Sequence, residues 1–259
     1  MQNQSRRPQA SHFTGPIHLS VAAPAYNEES GIRAVLENWL QFLRGASEIG
    51  GFEIVICNDG SRDSTGAVLS SMAADNPEVC VVQFDKNQGA GAALTAAIAA
   101  TRLDWVLLVD SDGQFPIENL RPLLAGLRGV RALAAIGIRQ KKGTLFARFG
   151  TWASGDVCNW LYGTRILDFN SACKLVWGPL LRSLRLEARG MNYSTEVTAR
   201  LLECGVSIVE VAIEHRPRTS GTSSMRLIRG SLHRFLFVCY LAMRGLLFRF
   251  GVLQVHKFD

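Results

Sequence analysis

Two aspartates and a glutamine follow a short apolar run, and their spacing suits a divalent cation. The run Trp105–Val109 has the length and aliphatic content of a strand buried on both faces of a parallel sheet. Asp110 and Asp112 stand one strand period apart, so both carboxylates can point the same way, and Gln114 adds a neutral oxygen. Such oxygen ligands hold Mg²⁺ or Mn²⁺, which keep positions open for substrate phosphates. The alternative is a polar loop in which Asp112 caps a helix beginning near Pro116.

Other strand, loop and helix patterns surround this acidic loop. Apolar runs of strand length occur at His18–Ala23, Phe52–Cys57, Val79–Phe84, Ala134–Ile138 and Val206–Ile213. The alternation of strands with helical patterns predicts right-handed βαβ crossovers, and therefore an α/β fold with a mostly parallel sheet flanked by helices. The carboxyl ends of parallel strands share one edge of a sheet, where open α/β sheets bind ligands.

The loops after the first two strands carry side chains that suit a nucleotide. Tyr26 offers a ring that can stack on a base, with Asn27 and Glu28 beside it as hydrogen-bonding groups. Asp59, at the end of the second strand, can accept hydrogen bonds from a nucleobase or a ribose. Both loops also have a structural explanation, since these residue types favour helix starts and turns. The segment GAGAAL (residues 89–94) lacks the third glycine of a dinucleotide fingerprint, so close packing of an alanine-rich helix is favoured there.

Charge is distributed unevenly along the 259 residues. Residues 1–120 contain 7 Lys and Arg against 14 Asp and Glu, whereas residues 121–259 contain 21 against 8. The acidic half suits a metal site. The basic half suits a polyanion such as a diphosphate, a lipid phosphate, an anionic membrane or a nucleic acid. A solvated surface with accidental asymmetry is the alternative.

The six cysteines are scattered, without a CxxC pair or a Cys/His cluster. Neither a zinc site nor a disulfide framework is therefore predicted, and a reducing cytoplasm is the expected compartment. Residues 1–16 are polar and lack the apolar core of a signal peptide, so they are predicted to form a flexible tail.

Four of these segments, in order, resemble the family 2 glycosyltransferases with a GT-A fold: PAYNEE, CNDGSRDST, NQGAGAALTAAI and DSDGQFP. The strongest resemblance within that family is to the polyprenyl-phosphate glycosyltransferases, typified by dolichol-phosphate mannose synthase, and it covers roughly residues 18–225. It implies a Rossmann-like domain that binds a nucleotide diphosphate sugar. The residues implied to hold the nucleotide are Pro24, Tyr26, Asn27, Glu28 and Asp59. The residues implied to surround Mg²⁺ or Mn²⁺ are Asp110, Asp112 and Gln114.

The second half resembles the same family more loosely. Arg139 resembles the basic residue that the family places near the phosphates. Asp168–Leu175 is similar to a D-x-x-S-G-F-R-like segment, although Ala172 stands in place of the usual glycine. The loop after the last strand, His215–Ser224, resembles the family's closing R-x-x-G-x-S loop. In it an arginine, for which Arg218 is the favoured candidate, and hydroxyls can wrap phosphate oxygens. Glu196 matches an acidic position, but could equally be an ordinary helix-start glutamate. The residues implied on the acceptor side are Ser171, Glu196, Arg218 and Ser223.

The predicted organisation is a flexible tail (1–16), a GT-A glycosyltransferase domain (17–225) and a basic amphipathic helical segment (226–259). Within the last part, Leu232–Leu253 is very apolar but is interrupted by Arg234, Arg244 and Arg249, which makes it ill suited to span a bilayer. It is predicted to lie in the membrane interface, with arginines toward lipid phosphates and Phe and Leu side chains toward acyl chains. A terminal helix docked on the domain is the alternative.

These observations and the resemblance lead to one hypothesis: metal-dependent, inverting transfer of a sugar from a nucleotide diphosphate sugar to a polyprenyl phosphate at the cytoplasmic face of a membrane. Asp110 and Asp112 would act with the metal, while Arg139 and Arg218 would support the phosphates. An acceptor phosphate needs no strong base, because its second pKa is about 6. Transfer to a glycan or other hydroxyl acceptor is the first alternative, with Glu196 as candidate base. A nucleotide-binding scaffold without catalysis and a nucleic-acid-binding protein are further alternatives, but the acid motif is intact and no nucleic-acid reading module is recognised.

Overall fold

The computed structural model describes residues 15–139 and 158–217 and, near the carboxyl terminus, residues 237, 239–241, 243–248, 250 and 252. Its strands are β1 (Ile17–Ala25), β2 (Ile49–Asn58), β3 (Val79–Gln83), β4 (Trp105–Leu108), β5 (Ala134–Arg139), β6 (Lys174–Trp177) and β7 (Ile208–Ile213). Its helices are α1 (Ile32–Gly45), α2 (Thr65–Asp75), α3 (Ala90–Ala100), α4 (Leu120–Leu127), α5 (Gly178–Ser183) and α6 (Tyr193–Glu203), with a 3-10 turn at Ile117–Asn119. Residues 158–162 are also helical. The domain boundary predicted at residue 225 falls outside the described residues and stays a prediction.

The strands of the described part form one sheet in the order β3-β2-β1-β4-β6-β5-β7. Each paired strand is parallel to its neighbour except β6, which runs antiparallel to both β4 and β5. The expectation of a mostly parallel sheet flanked by helices is therefore confirmed. β6 was not predicted as a strand.

The chain changes direction across the sheet at β1, which lies between β2 and β4. β2 and β3 lie on one side of β1, and the rest of the sheet lies on the other side. Open α/β sheets form a ligand crevice at such a switch point, outside the carboxyl ends of the strands. The acidic loop after β4 adjoins the loop after β1 there, since the Ser111 hydroxyl donates a hydrogen bond to the Pro24 carbonyl oxygen at 2.7 Å.

The buried side chains of helix α1 recur with the period of an α-helix. In α1 the apolar positions Leu36, Trp39, Leu40 and Leu43 recur at intervals of three and four residues, and all four side chains are buried in the core. β4 is buried along its whole length, as expected for a strand inside a sheet covered on both faces.

The glycines at the start of α3 allow a close approach between two backbones. Gly91 N donates a hydrogen bond to the Arg189 carbonyl oxygen at 2.8 Å. A Cβ atom added to Gly91 would lie 2.0 Å from the Ala188 carbonyl oxygen, and one added to Gly89, whose φ is +100°, would lie 2.3 Å from that of Arg189. Close packing explains these glycines, as predicted, but their contact is with residues 188–190.

Replacing Gly91 with alanine should therefore push residues 188–190 away from α3. We expect the free energy of unfolding to fall by about 1–3 kcal/mol, the usual range for overpacking. Gly45→Ala is the matched control, because an added Cβ there has no atom within 4 Å. Urea unfolding of the two variants makes the comparison, and equal stability of the two proteins would contradict the close approach.

The described carboxyl-terminal residues include helical positions between 237 and 248, which dock on the domain. Arg244 Nη2 lies 2.8 Å from Glu203 Oε2, and the Tyr240 hydroxyl donates a hydrogen bond to the Glu187 carboxylate. Arg244 was predicted to face lipid phosphates, but it faces the protein. The reason is that the buried carboxylate of Glu203 on α6 pairs with it. Arg234 and Arg249 lie outside the described residues. Among the helices of the described part, none is long and apolar enough to cross a membrane.

Candidate active site

The loops after β1 and β2 are joined into one unit by hydrogen bonds. Asn27, which has a left-handed φ of 54°, donates from its backbone N to Ser61 Oγ at 3.0 Å. Its side-chain oxygen accepts a hydrogen bond from the backbone N of Arg62 at 2.9 Å. Glu28 N donates to Thr65 Oγ1 at 2.8 Å. The predicted nucleotide-binding residues of the two loops are therefore held in a fixed relation to one another.

Asp59 holds a third loop against this unit. Its side chain accepts hydrogen bonds from Gln88 N at 2.6 Å, Gly89 N at 2.9 Å and Asn87 Nδ2 at 2.8 Å. Burial raises the pKa of the Asp59 carboxyl, and the two backbone donors oppose that rise. Asp59 is only 1% exposed and positions the loop before α3. Its direct contact with a nucleotide stays a prediction.

In the acidic loop after β4, Asp112 lies close enough to Asp110 for its negative charge to affect the ionisation of Asp110. Burial raises the pKa of Asp110 to about 6; a hydrogen bond from the Tyr193 hydroxyl opposes this rise, and the negative charge of Asp112 adds to it. Asp112 Oδ1 accepts a hydrogen bond from Gln114 N at 3.0 Å, which closes a tight turn. The structure thus places Asp110, Asp112 and Gln114 at the carboxyl end of β4, as predicted.

This donor set fits a hard divalent cation. The negative charge of Asp112 raises the pKa of Asp110, a bound cation would oppose that effect, and carboxylate and amide oxygens suit Mg²⁺ or Mn²⁺. In the described part of the chain no three His, Cys, Asp or Glu residues form a complete metal cluster. Mg²⁺ usually takes one or two protein carboxylates together with substrate phosphates, so two aspartates are a sufficient protein contribution.

Positive charge lies beside the aspartates. The Arg139 guanidinium makes a bidentate pair with Asp168, with Nε 2.8 Å from Oδ2 and Nη2 2.9 Å from Oδ1. Burial alone would raise the pKa of Asp168, but the Arg139 hydrogen bonds outweigh it and lower that pKa. Lys174 is fully buried, and burial lowers its pKa to about 7 although Asp168 and Asp110 favour its charged form. Arg139 therefore lies near Asp110, with its direction fixed by Asp168, and its position beside the phosphates stays a prediction.

Of the four residues predicted on the acceptor side, Ser171 and Glu196 are described by the structure, and both are buried. Ser171 is buried, and its carbonyl oxygen accepts a hydrogen bond from Lys174 Nζ. Glu196 is 0% exposed; its carboxylate accepts hydrogen bonds from Glu187 N at 3.0 Å and Ala188 N at 2.7 Å and pairs with Arg200 at 2.9 Å. These contacts give Glu196 a structural task, and its acceptor-side role stays a prediction. Arg218 and Ser223 lie outside the described residues.

Three residues that were given no role from the sequence belong to this region. Tyr193, the first residue of α6, donates its hydroxyl hydrogen bond to Asp110. Lys174 enters the charge network from β6, and a lysine within the apolar run CKLVW was the available signal. The ring of His215 packs edge-on against Phe115 with centroids 4.9 Å apart, which brings the end of β7 to the acidic loop. No local pattern predicted the contacts of the tyrosine or the histidine, because those contacts span long stretches of sequence.

The raised pKa of Asp110 predicts a pH dependence of stability for the metal-free protein. A raised carboxyl pKa favours the neutral form in the folded state. Its stabilising contribution should be present below the unfolded pKa of about 3.9 and lost as the pH rises through the folded value. Asp110→Asn cannot ionise, so the variant should gain stability relative to the wild type between about pH 4 and 7. Urea unfolding across this range measures the difference, and parallel profiles would contradict the assignment.

The sequence matches known proteins over the region that forms this site. A family model described as glycosyl transferase family 2 matches residues 20–170. A dolichyl-phosphate beta-glucosyltransferase (ALG5A) of Trichomonas vaginalis is 36% identical over 110 residues, which are 41% of this chain and 34% of that protein. The match thus spans about a third of that relative's length. An undecaprenyl-phosphate mannosyltransferase of Micrococcus luteus is 27% identical over 214 residues, which are 78% of this chain and 85% of that protein.

Solved structures show the same fold. Glucosyl-3-phosphoglycerate synthase from Mycobacterium tuberculosis, crystallised with Mn²⁺, UDP and glucosyl-3-phosphoglycerate, superposes with a TM-score of 0.65 at 20% identity. The match covers 92% of this chain and 81% of that one. A crystal structure of the same enzyme in complex with Mg²⁺ and UDP superposes with a TM-score of 0.64. With the sheet order described above, this likeness confirms the GT-A fold.

Proposed function

The chain belongs to glycosyl transferase family 2, and from this premise we propose that it transfers one sugar, with inversion, from a nucleotide diphosphate sugar to a polyprenyl phosphate. The observation that carries the proposal is the meeting of the loops after β1 and β4 at one edge of the sheet, where Asp110 and Asp112 lie. The names of relatives that act on dolichyl phosphate and undecaprenyl phosphate support the acceptor class. A lipid acceptor places the reaction at a membrane surface, for which we propose a peripheral position on the cytoplasmic face.

The donor occupies the crevice formed by the first two loops. Tyr26 stacks on the base, while Asn27, Glu28 and Asp59 contribute hydrogen-bonding groups and Pro24 shapes the end of β1. The hydrogen bonds between the β1 and β2 loops support this assignment, because they preorganise the binding groups before the donor arrives.

The diphosphate lies beside the acidic loop. Asp110, Asp112 and Gln114 would hold Mg²⁺ or Mn²⁺, which would neutralise the charge that develops on the departing diphosphate. Arg139 adds a fixed positive charge, since its pairing with Asp168 orients the guanidinium and leaves it near Asp110. Arg218 is assigned the same task on the acceptor phosphate.

A phosphate acceptor agrees with the position of Glu196. Transfer to a hydroxyl needs a positioned general base, and Glu196 is the base that the sequence offers. Its carboxylate is fully buried and engaged by Arg200 and two backbone N–H groups. A phosphate monoester is largely a dianion at neutral pH, because its second pKa is about 6, and it attacks without such a base.

The experiment that tests the acceptor class compares polyprenyl phosphate with the corresponding polyprenol. Purified protein, detergent, Mn²⁺ and a labelled donor are common to both reactions. We expect labelled lipid only with the phosphate. Equal transfer to the polyprenol would replace the proposal with a hydroxyl-directed glycosyltransferase.

A further inference from the structure

The two carboxylate oxygens of Asp110 have different surroundings. The Tyr193 side chain is buried, and its hydroxyl donates a hydrogen bond to Asp110 Oδ1. Among the described residues, no hydrogen bond reaches Oδ2 of the same carboxylate. Asp110 itself is only half-buried, so the carboxylate lies at the boundary between the core and the edge of the sheet. Within the described part of the chain, one oxygen is therefore taken by the protein and the other is left for a ligand.

The start of α6, which carries Tyr193, is tied to the segment before β6. Ser194 Oγ donates a hydrogen bond to the Asn170 carbonyl oxygen at 3.1 Å. The Thr195 hydroxyl donates to the side-chain oxygen of the same asparagine. Two consecutive hydroxyls thus fix the first turn of the helix on one residue. Tyr193, as the first residue of that turn, has little freedom to move away from Asp110.

The loop before Tyr193 is fixed as well. The Glu196 carboxylate accepts hydrogen bonds from the backbone N–H groups of residues 187 and 188, at 3.0 and 2.7 Å. The Arg189 carbonyl oxygen accepts one from Gly91 N at 2.8 Å, at the start of α3. The tyrosine is therefore anchored on both sides along the chain. Its bond to Asp110 is held by the fold around it and does not depend on the flexibility of a single side chain.

A carboxylate with one oxygen held in this way has a restricted range of metal geometries. It can offer its second oxygen to a cation, but two-oxygen ligation would require the tyrosine hydroxyl to be displaced. Mg²⁺ demands near-ideal octahedral geometry with short bonds, whereas Ca²⁺ takes six to eight oxygens and accepts carboxylates that bind through both. Groups that hydrogen-bond to a metal ligand set its orientation in this manner.

We propose that Tyr193 is a positioning residue that restricts Asp110 to ligation through one oxygen, and thereby favours a small octahedral cation such as Mn²⁺ or Mg²⁺ over Ca²⁺. Tyr193 acts through Asp110 and needs no contact with the substrate. The inference rests on the proposed function, because the cation it concerns is the one that the reaction would use.

Tyr193→Phe tests the proposal, because it removes the hydroxyl and keeps the ring. Isothermal titration calorimetry with Mn²⁺ alone and with Ca²⁺ alone measures the two affinities. We expect Mn²⁺ to bind about 10- to 100-fold more weakly to the variant, the usual effect of losing a group that orients a metal ligand. Ca²⁺ affinity should fall less or rise, since both oxygens of Asp110 become accessible to it. A purely structural role would weaken both cations equally, and that result would overturn the proposal.

Tyr162→Phe is the matched control. The Tyr162 hydroxyl donates a hydrogen bond to Glu203 Oε1 at 3.0 Å, so the same substitution removes the same kind of bond at the other end of α6. Ten residues of helix separate Glu203 from Tyr193 by about 15 Å, at 1.5 Å per residue. We expect both affinities to stay within about twofold of wild type in this variant. Equal loss of Mn²⁺ binding in the two variants would contradict a specific role for Tyr193.

The same titrations separate this inference from the proposed function. If Tyr193→Phe binds Mn²⁺ as tightly as wild type does, the inference fails and the proposed function stands. A wild type that binds no Mn²⁺ removes the cation from the proposed function, and the inference with it. If Tyr193→Phe does not fold, the wild type still decides, because Ca²⁺ binding as tight as that of Mn²⁺ would overturn the selection.

Discussion

Replacing Asp112 with asparagine should reduce sugar transfer by roughly 1,000-fold, because several kcal/mol of charge stabilisation are lost with the metal and each 1.4 kcal/mol is a factor of ten. Asparagine removes the negative charge but keeps an oxygen that can accept the hydrogen bond from Gln114 N, now at 3.0 Å. The turn should therefore persist. Steady-state rates at saturating donor and acceptor, with Mn²⁺ varied, measure the effect.

Asp104→Asn is the control for this substitution. Asp104 immediately precedes β4, so it lies at the opposite end of the strand from the acidic loop. It is exposed, and its loss should leave the rate within about twofold of wild type. Full turnover in Asp112→Asn, or equal damage from the two substitutions, would remove the metal assignment.

Replacing Arg200 with methionine should lower the free energy of unfolding by about 3–5 kcal/mol, the usual result of removing one partner from a buried ion pair. The Arg200 side chain is 6% exposed and lies 2.9 Å from Glu196 and 3.2 Å from Glu203, which are both almost fully buried. Burial alone would lower the pKa of Arg200, but Tyr240 and the two carboxylates outweigh it and raise that pKa. Methionine fills similar space while leaving the carboxylates short of a cation.

Arg185→Met provides the comparison, measured like Arg200→Met by urea unfolding. Arg185 is also near a glutamate, at 3.7 Å from Glu187, but its side chain is 91% exposed. An exposed pair of this kind contributes only about 0–1 kcal/mol. Similar losses of unfolding free energy in the two variants would mean that burial does not determine how much the Arg200 ion pairs stabilise the fold.

The edge of the sheet that carries the site was predictable from sequence for a physical reason. A buried strand needs a continuous apolar run, and the residues that end the run are fixed at its carboxyl end. Asp59 and Asp110 were therefore placed correctly by counting from their strands, without knowledge of any long-range contact. The loop after β1 followed from the same argument.

β6 was missed because its signal is weak. It contains four residues, begins with Lys174 and continues directly into α5. A charged first residue and a short apolar run do not distinguish a strand from the approach to a helix. Its antiparallel pairing with β4 and β5 depends on neighbours that are distant in sequence.

The partners of buried charged residues could not be predicted from the local sequence either. Glu196 was predicted to face the acceptor because it matches an acidic position of the family that the sequence resembles, but its carboxylate bonds to residues 187 and 188. Arg244 was predicted to face lipid, whereas Glu203, 41 residues earlier, pairs with it. Tyr193 and Asp110 are 83 residues apart. Such pairings depend on the packing of whole elements and leave no pattern in either segment.

We propose that this crevice passes a sugar from its nucleotide to a lipid phosphate with the help of a divalent cation. The most direct measurement incubates the purified protein with labelled nucleotide sugars, polyprenyl phosphate and Mn²⁺ or Mg²⁺, and follows label into the organic phase. We expect labelled glycolipid with at least one donor, and we expect its formation to be lost in excess chelator and restored by added metal. Glycolipid formation that persists undiminished in chelator would contradict it.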